Sequence, residues 1–168
     1  MKYNLTEETK TVCGVILHRI ECVEAFGGVK VGEKGGWIES EKNLSQEGYA
    51  WVYGDAMVSG YARVSGYASV SGDARVYGNA RVSGDAIVSG NARVSGNADY
   101  IVFKNNFSSG RYFTWTRSND MWSVGCFYGT GEELIRKAYA DSEKKGKCYE
   151  AYVRLVDTLQ TIQKGGGK

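Results

Sequence analysis

The sequence predicts a mainly β chain whose centre is a short left-handed parallel β-helix of about three coils, with an N-terminal β cap and a small C-terminal module of one hairpin and two helices. Three observations predict it. Residues 48–99 hold eight consecutive hexads, VYGDAM, VSGYAR, VSGYAS, VSGDAR, VYGNAR, VSGDAI, VSGNAR and VSGNAD, which keep valine first, glycine third and alanine fifth. A six-residue period of this strictness marks a β-solenoid. The 23 glycines recur at that period and the chain has no proline, so the glycines punctuate turns and do not form a flexible linker.

Residues 1–47 read as the N-terminal β cap. TVCGVILHRIECV is β-branched and apolar enough for one or two strands, and in FGGVKVGEKGGWIESEKNLSQ the bulk of Trp37, Ile38 and Leu44 suits a plug for the open end of a stack. In the hexads, valine and alanine point inward while glycine with Asp or Asn makes the corner. Three hexads close a triangular coil, so residues 18 apart lie one strand spacing apart, about 4.8 Å.

Residues 100–164 form the C-terminal module. YIVFKNNF predicts a strand and RYFTWTR–SND–MWSVGCFY a hairpin turning at Ser118 to Asp120. TGEELIRKAYADS opens with Thr130 and Glu133 at capping-box spacing, and Leu134, Ile135, Ala138 and Tyr139 share one helix face. In the last helix, Cys148, Tyr152, Leu155, Leu159 and Ile162 form a coiled-coil-like seam, expected either to dock on the aromatic hairpin or to meet another helix in an oligomer. Residues 165–168 read as a frayed tail.

VSGDAR and VYGNAR resemble the left-handed β-helix proteins whose best-known members are trimeric acyltransferases. GGWIESEKNLSQEGYAWVYGDA, residues 35–56, resembles bacterial and prophage hexapeptide proteins known only as transferases by name. Residues 111–143, from RYFTWTR to AYADSE, are similar to a module of uncharacterised phage and prophage proteins. These resemblances imply a solenoid fold, a phage-associated origin and, through the acyltransferases, a parallel homotrimer.

The chemistry of the chain narrows its function. With 21 Lys and Arg against 19 Asp and Glu, it lacks the basic footprint of a duplex nucleic-acid or anionic-membrane binder. No stretch approaches the length of a membrane span and MKYNLTEETKT lacks an apolar signal region, so the cytoplasm of a bacterial host is expected. Cys13, Cys22, Cys126 and Cys148 lack zinc-site spacing, and no metal or cofactor is expected. Hexapeptide acyltransferases use a histidine as general base, whereas the one histidine here, His18, precedes the coils and reads as structural. Enzyme activity is therefore not expected.

What stands out is the outer surface. The 18-residue register puts Arg63 beside Arg81 and Arg75 beside Arg93. Like charges at strand spacing require either neutralising neighbours, for which Asp55, Asp73 and Asp85 are placed, or an anionic partner. On the third face Trp51, Ser69 and Ile87, with Tyr67 nearby, form a mixed apolar stripe expected to be the self-association interface. Tyr61 and Tyr77, with Tyr53 and Tyr67, are placed to stack on a flat ligand beside the arginines. The aromatic hairpin, Tyr112, Phe113, Trp115 and Trp122 flanked by Arg111 and Arg117, reads either as core or as a base-stacking platform.

Three functions follow. The preferred one is a non-catalytic, phage-associated binding protein that engages a host protein or sequesters a small anionic nucleotide-type ligand, in one version to counter host defence. The alternatives are an acyltransferase using acetyl-CoA and a structural or assembly protein.

Overall fold

In the computed structural model, which describes residues 1–166, the coils begin earlier than the valine hexads. Strands β1 (Tyr3–Val12) and β2 (Val15–Cys22) form an antiparallel hairpin, and β3 (Lys34–Ile38) pairs with β2. Eight two-residue strands follow: β4 (Trp51–Val52), β5 (Met57–Val58), β6 (Arg63–Val64), β7 (Ser69–Val70), β8 (Arg75–Val76), β9 (Arg81–Val82), β10 (Ile87–Val88) and β11 (Arg93–Val94). They stack in parallel on three faces. The first is β3-β5-β8-β11, the second β6-β9 and the third β4-β7-β10.

The inner rungs explain why valine and alanine recur. Val52, Val58, Val64, Val70, Val76, Val82, Val88 and Val94 are at most 1% exposed, as are the alanines two residues before each of them. Burying each valine contributes about 1.5–3 kcal/mol. At the corners the chain turns through positive φ, as at Gly66 (φ +72), where a Cβ would sit 3.0 Å from the backbone nitrogen of Gly84 in the next coil. Both the left-handed backbone and the tight stacking exclude a side chain there.

Residues 34–47, expected in the cap, belong to the first coil. Ile38 pairs with Val58 and Leu44 bridges to Val64, so both are inner rungs and not plugs. The sequence hides this coil because its register to the next runs at 20 residues on two faces and 18 on the third. The two extra residues fall between Leu44 and Trp51. Asn43 replaces the missing strand: its buried amide donates to the carbonyls of Gly60 (3.0 Å) and Ala62 (2.9 Å) and accepts from the Ser40 N–H (2.9 Å). The paired glycines before Trp37 are steric, since a Cβ on Gly36 would lie 2.5 Å from a Val52 methyl and 2.6 Å from the Ala56 carbonyl.

Trp51, not Trp37, closes the N-terminal end. It is 1% exposed, with the rings of Phe26 at 5.5 Å and Tyr3 at 6.1 Å. Lys2 is buried beside it and donates through Nζ to the carbonyls of Glu47, Gly48 and Ala50. Burial lowers its ammonium pKa to about 8. Burial, and next the Glu41 carboxylate, raises the Tyr3 phenol, which donates to the Leu44 carbonyl at 2.7 Å.

At the other end the hexad pattern outlasts the coil. Ala98 is exposed, because residues Asn97–Asp99 form a 3₁₀ turn after β11. Side-chain oxygens then satisfy the last rung. The Arg81 N–H donates to Asn97 Oδ1 (3.0 Å), that of Ile87 to Thr114 Oγ1 (2.9 Å) and that of Arg93 to Ser118 Oγ (2.7 Å). Asp99 takes the backbone N–H groups of Ser95 and Gly96 and the Ser95 hydroxyl. Burial opposes ionisation of that carboxyl, but those hydrogen bonds and Arg117 hold it below the ordinary range.

Strands β12 (Tyr100–Lys104), β13 (Tyr112–Thr116), β14 (Met121–Val124) and β15 (Phe127–Gly129) form an antiparallel sheet in chain order. Helix α1 (Gly131–Asp141) starts at the expected Thr130–Glu133 capping box, and α2 (Glu143–Gly165) follows after Ser142. The second core contains Phe113, Trp115, Trp122, Leu134, Ile135, Ala138, Tyr149, Val153 and Val156. The aromatic hairpin is therefore core: three of the four rings expected for a stacking platform are buried.

The seam expected on α2 docks on the hairpin only at its start, where Cys148 and Tyr152 pack against the second core and the Tyr152 ring lies 5.2 Å from that of Phe113. Gly146, Tyr149, Val153 and Val156 face inward, while Leu155, Leu159 and Ile162 are 44%, 38% and 64% exposed. Tyr139 decides the rotation of the helix: its ring packs where a Cβ on Gly146 would lie 2.3 Å away. Of the expected tail, Gly165 ends α2 and the Gly166 N–H donates to the Ile162 carbonyl, while residues 167–168 lie outside the described residues. Among the described residues no helix is long and apolar enough to cross a membrane.

Candidate functional site

The two arginine columns exist in the expected register. Arg63 pairs with Arg81 on the second face, and Arg75 with Arg93 on the first. Their neutralisation does not hold. Asp55 lies 3.9 Å from Arg19, and neither Asp73 nor Asp85 forms an ion pair with any of the four arginines among the described residues. Only Asp73 stands two residues before an arginine, Arg75; Asp55 and Asp85 precede Met57 and Ile87. Among the described residues neither arginine column has a direct ion-pair partner.

The hairpin makes the columns different. β2 extends the sheet of the first face beyond β3, with Arg19 opposite Trp37 and His18 opposite Ile38. Alternation places Val15, Leu17 and Arg19 on the side of Trp37, Met57 and Arg75. That side curls into a groove of about 330 Å³ lined by Val12, Val15, Leu17, Met57, Arg75 and Arg93, with Tyr77, Ser59 and Cys13 at its margin. Farther up the same sheet, Trp37 lies under two cations, Lys10 Nζ at 4.4 Å and the Arg19 guanidinium at 4.9 Å from the ring centroid. Burial lowers the Lys10 pKa, the carboxylates Asp55 and Asp73 oppose this, and Arg19 and Arg75 add to it.

On the second face Arg63 and Arg81 border a more polar groove of about 430 Å³ with Lys42, Glu41, Gln46, Ser65 and Ser83. The expected ligand tyrosines divide between corners. Tyr77 borders the first-face groove, whereas Tyr61 is 85% exposed and lines neither.

The expected interface stripe is broken. Trp51 is withdrawn into the N-terminal core, leaving Ser69 and Ile87 half-buried and Tyr67 exposed. Tyr67 stacks on Tyr49 at 5.2 Å, and with Tyr53, Gly27 and Ser69 they edge a shallow depression. His18 shares a strand with the groove wall but alternates to the opposite side of the sheet from Leu17, so the one imidazole does not face either arginine column's groove. The apolar wall contributed by Val12, Val15 and Leu17 was not singled out from the sequence. Its available signal was the alternation of Val15, Leu17 and Arg19 in a strand long enough to overhang the first face.

Comparison with known proteins bears on the coils. The family described as YdcK beta solenoid repeat matches residues 50–66, 68–84 and 74–90. A 60-residue alignment, 31% of this chain, is 38% identical to the protein named uncharacterized acetyltransferase YdcK of Escherichia coli (strain K12), and it spans 18% of that relative's length. Together with the observed stack of three coils and a final strand, these matches identify the centre of the chain as a hexapeptide-type β-solenoid similar to the YdcK repeats.

Proposed function

We propose that the protein is a non-catalytic binding protein that holds a small anionic ligand, of nucleotide or phosphate type, on its arginine columns. The observation that carries this reading is the pair of like-charged columns, Arg63 with Arg81 and Arg75 with Arg93, with no ion-pair partner for any of the four among the described residues. Holding guanidinium groups at strand spacing is unfavourable without a counter-charge, and a multivalent anion supplies it with paired hydrogen bonds. Self-association belongs to the same proposal, through the Ser69–Ile87 face or the exposed α2 stripe, as does a reducing compartment such as the cytoplasm. The four cysteines are free thiols, which suits that compartment. A phage-associated role against a host component is the biological form of this reading.

The test is thermal stabilisation by a panel of mononucleotides, cyclic dinucleotides and inorganic phosphates, repeated on Arg63→Ala/Arg81→Ala and Arg75→Ala/Arg93→Ala. A saturable shift lost in one pair supports the reading. No shift with any anion, or a shift indifferent to all four arginines, refutes it. The relative's name favours a second reading, acetyl transfer, for which acetyl-CoA joins the panel with an acceptor-dependent release of free thiol as readout. The position of His18 gives that chemistry no base at either arginine groove.

A further inference from the structure

The two arginine grooves differ in their walls, and the difference specifies a ligand. The second-face groove is bordered by serines, Gln46 and charged groups. In the first-face groove the hairpin contributes Val12, Val15 and Leu17, and the coil contributes Met57, directly above Arg75 and Arg93 in the ladder. An aliphatic wall thus continues into two guanidinium groups along one line. Leu17 is 2% exposed and Met57 and Arg75 are half-buried, so the apolar end is the sheltered one, while Arg93 opens to solvent.

We propose that this groove binds an amphipathic anion, an unbranched aliphatic chain ending in a carboxylate or phosphate, with the chain along Val12, Val15, Leu17 and Met57 and the head group between Arg75 and Arg93. The proposal rests on the anion-binding reading above and adds the ligand class and the face. Three features support it. The wall is aliphatic and holds a flexible methionine, which adapts to a chain. The volume of about 330 Å³ equals roughly eleven waters at ~30 Å³ each, which suits a chain of about ten heavy atoms. The head-group end offers two cations without an internal ion pair, and Lys10 and Arg19 add positive charge to the same side of the sheet.

Titration calorimetry with four probes tests it: decanoate, decyl phosphate, decanol and inorganic phosphate. Decanoate and decyl phosphate bind with one-to-one stoichiometry, and decanol and phosphate bind at least tenfold more weakly. Arg75→Ala/Arg93→Ala weakens decanoate at least tenfold, and so does Val15→Glu, which changes a half-buried wall position without emptying the core. Arg63→Ala/Arg81→Ala weakens decanoate less than Arg75→Ala/Arg93→Ala does. Circular dichroism of each variant confirms that the coils persist. Equal binding of phosphate and decyl phosphate overturns the amphipathic assignment while leaving the anion reading intact. Equal binding of decanol and decanoate removes the arginines from the site. Sensitivity to Arg63 and Arg81 instead moves it to the other face, and no binding of either decyl anion overturns the proposal outright.

Discussion

Asn43 replaces a strand with a side chain, and replacing it by alanine or aspartate measures what that is worth. In Asn43→Ala the carbonyls of Gly60 and Ala62 lose their donor and the Ser40 N–H loses its acceptor, three hydrogen bonds at a position with no solvent exposure. At about 1 kcal/mol each the three bonds come to about 3 kcal/mol, and the buried groups left unpaired make this a lower bound. For a urea slope of about 2 kcal/mol/M, the midpoint falls by at least roughly 1.5 M at constant slope. Asn43→Asp keeps the shape but sets a carboxylate against two carbonyl oxygens. It is therefore less stable than the alanine variant at neutral pH.

The aspartate also titrates with a definite sign. Burial beside two acceptors raises its folded-state pKa above the unfolded value near 3.9, so the folded chain retains a proton that the unfolded chain has released. Stability relative to wild type is recovered below the unfolded pKa and lost as pH rises through the folded one. Urea melts monitored by far-ultraviolet circular dichroism at pH 4, 5.5 and 7.5 read this directly. An alanine midpoint within about 0.2 M of wild type, or an aspartate variant as stable as wild type at pH 7.5, refutes the strand-replacement argument.

Other perturbations test other parts of the molecule. Lys2, with its pKa lowered to about 8 against about 10.4 unfolded, leaves the unfolded chain with the extra proton between those values. Thermal stability therefore rises from pH 8 toward 10; the raised Tyr3 phenol reverses the slope once unfolded tyrosines ionise above pH 10, and Lys2→Met removes the rise. Gly36→Ala forces a methyl against Val52 and the Ala56 carbonyl and costs about 1–3 kcal/mol or more in the same urea melts. Leu155→Glu with Leu159→Glu changes exposed positions, so it leaves the melting temperature within about 3 °C of wild type. It reduces any self-association through α2 seen by sedimentation. Val153→Ala, on the buried stripe, costs about 2 kcal/mol. Asp99→Ala removes a carboxylate whose lowered pKa contributes stability above about pH 4 that is lost on acidification, so the variant shows a flatter acid melt than wild type.

The coils were legible because valine, glycine and alanine each answer to one local constraint, repeated eight times. The first coil was not, because Ile38 and Leu44 sit at rung positions without the VxG signature and two inserted residues break the spacing. The rotation of α2 was equally hidden. Two apolar stripes run along it at helical spacing, and only the passage of Tyr139 over Gly146 selects the one containing Tyr149, Val153 and Val156. Within the candidate site, the arginine register followed from counting by 18. The groove wall did not, since it depends on how a long hairpin curls over a neighbouring face. Direct ion pairing of Asp73 and Asp85 with the arginines did not follow from the register, because spacing along the chain does not fix where side chains on either side of a corner meet.

The last rung has a consequence for how this protein avoids fibres. A parallel stack of near-identical coils is a template on which any further copy can grow, in principle without limit. Here the backbone groups of Arg81, Ile87 and Arg93 that would seed another layer are occupied by the side chains of Asn97, Thr114 and Ser118, which offer an oxygen but no continuing strand. Three short polar residues thus act as chain terminators in the polymer sense. Replacing Thr114 and Ser118 by valine would leave the Ile87 and Arg93 N–H groups without those acceptors at this end of the stack.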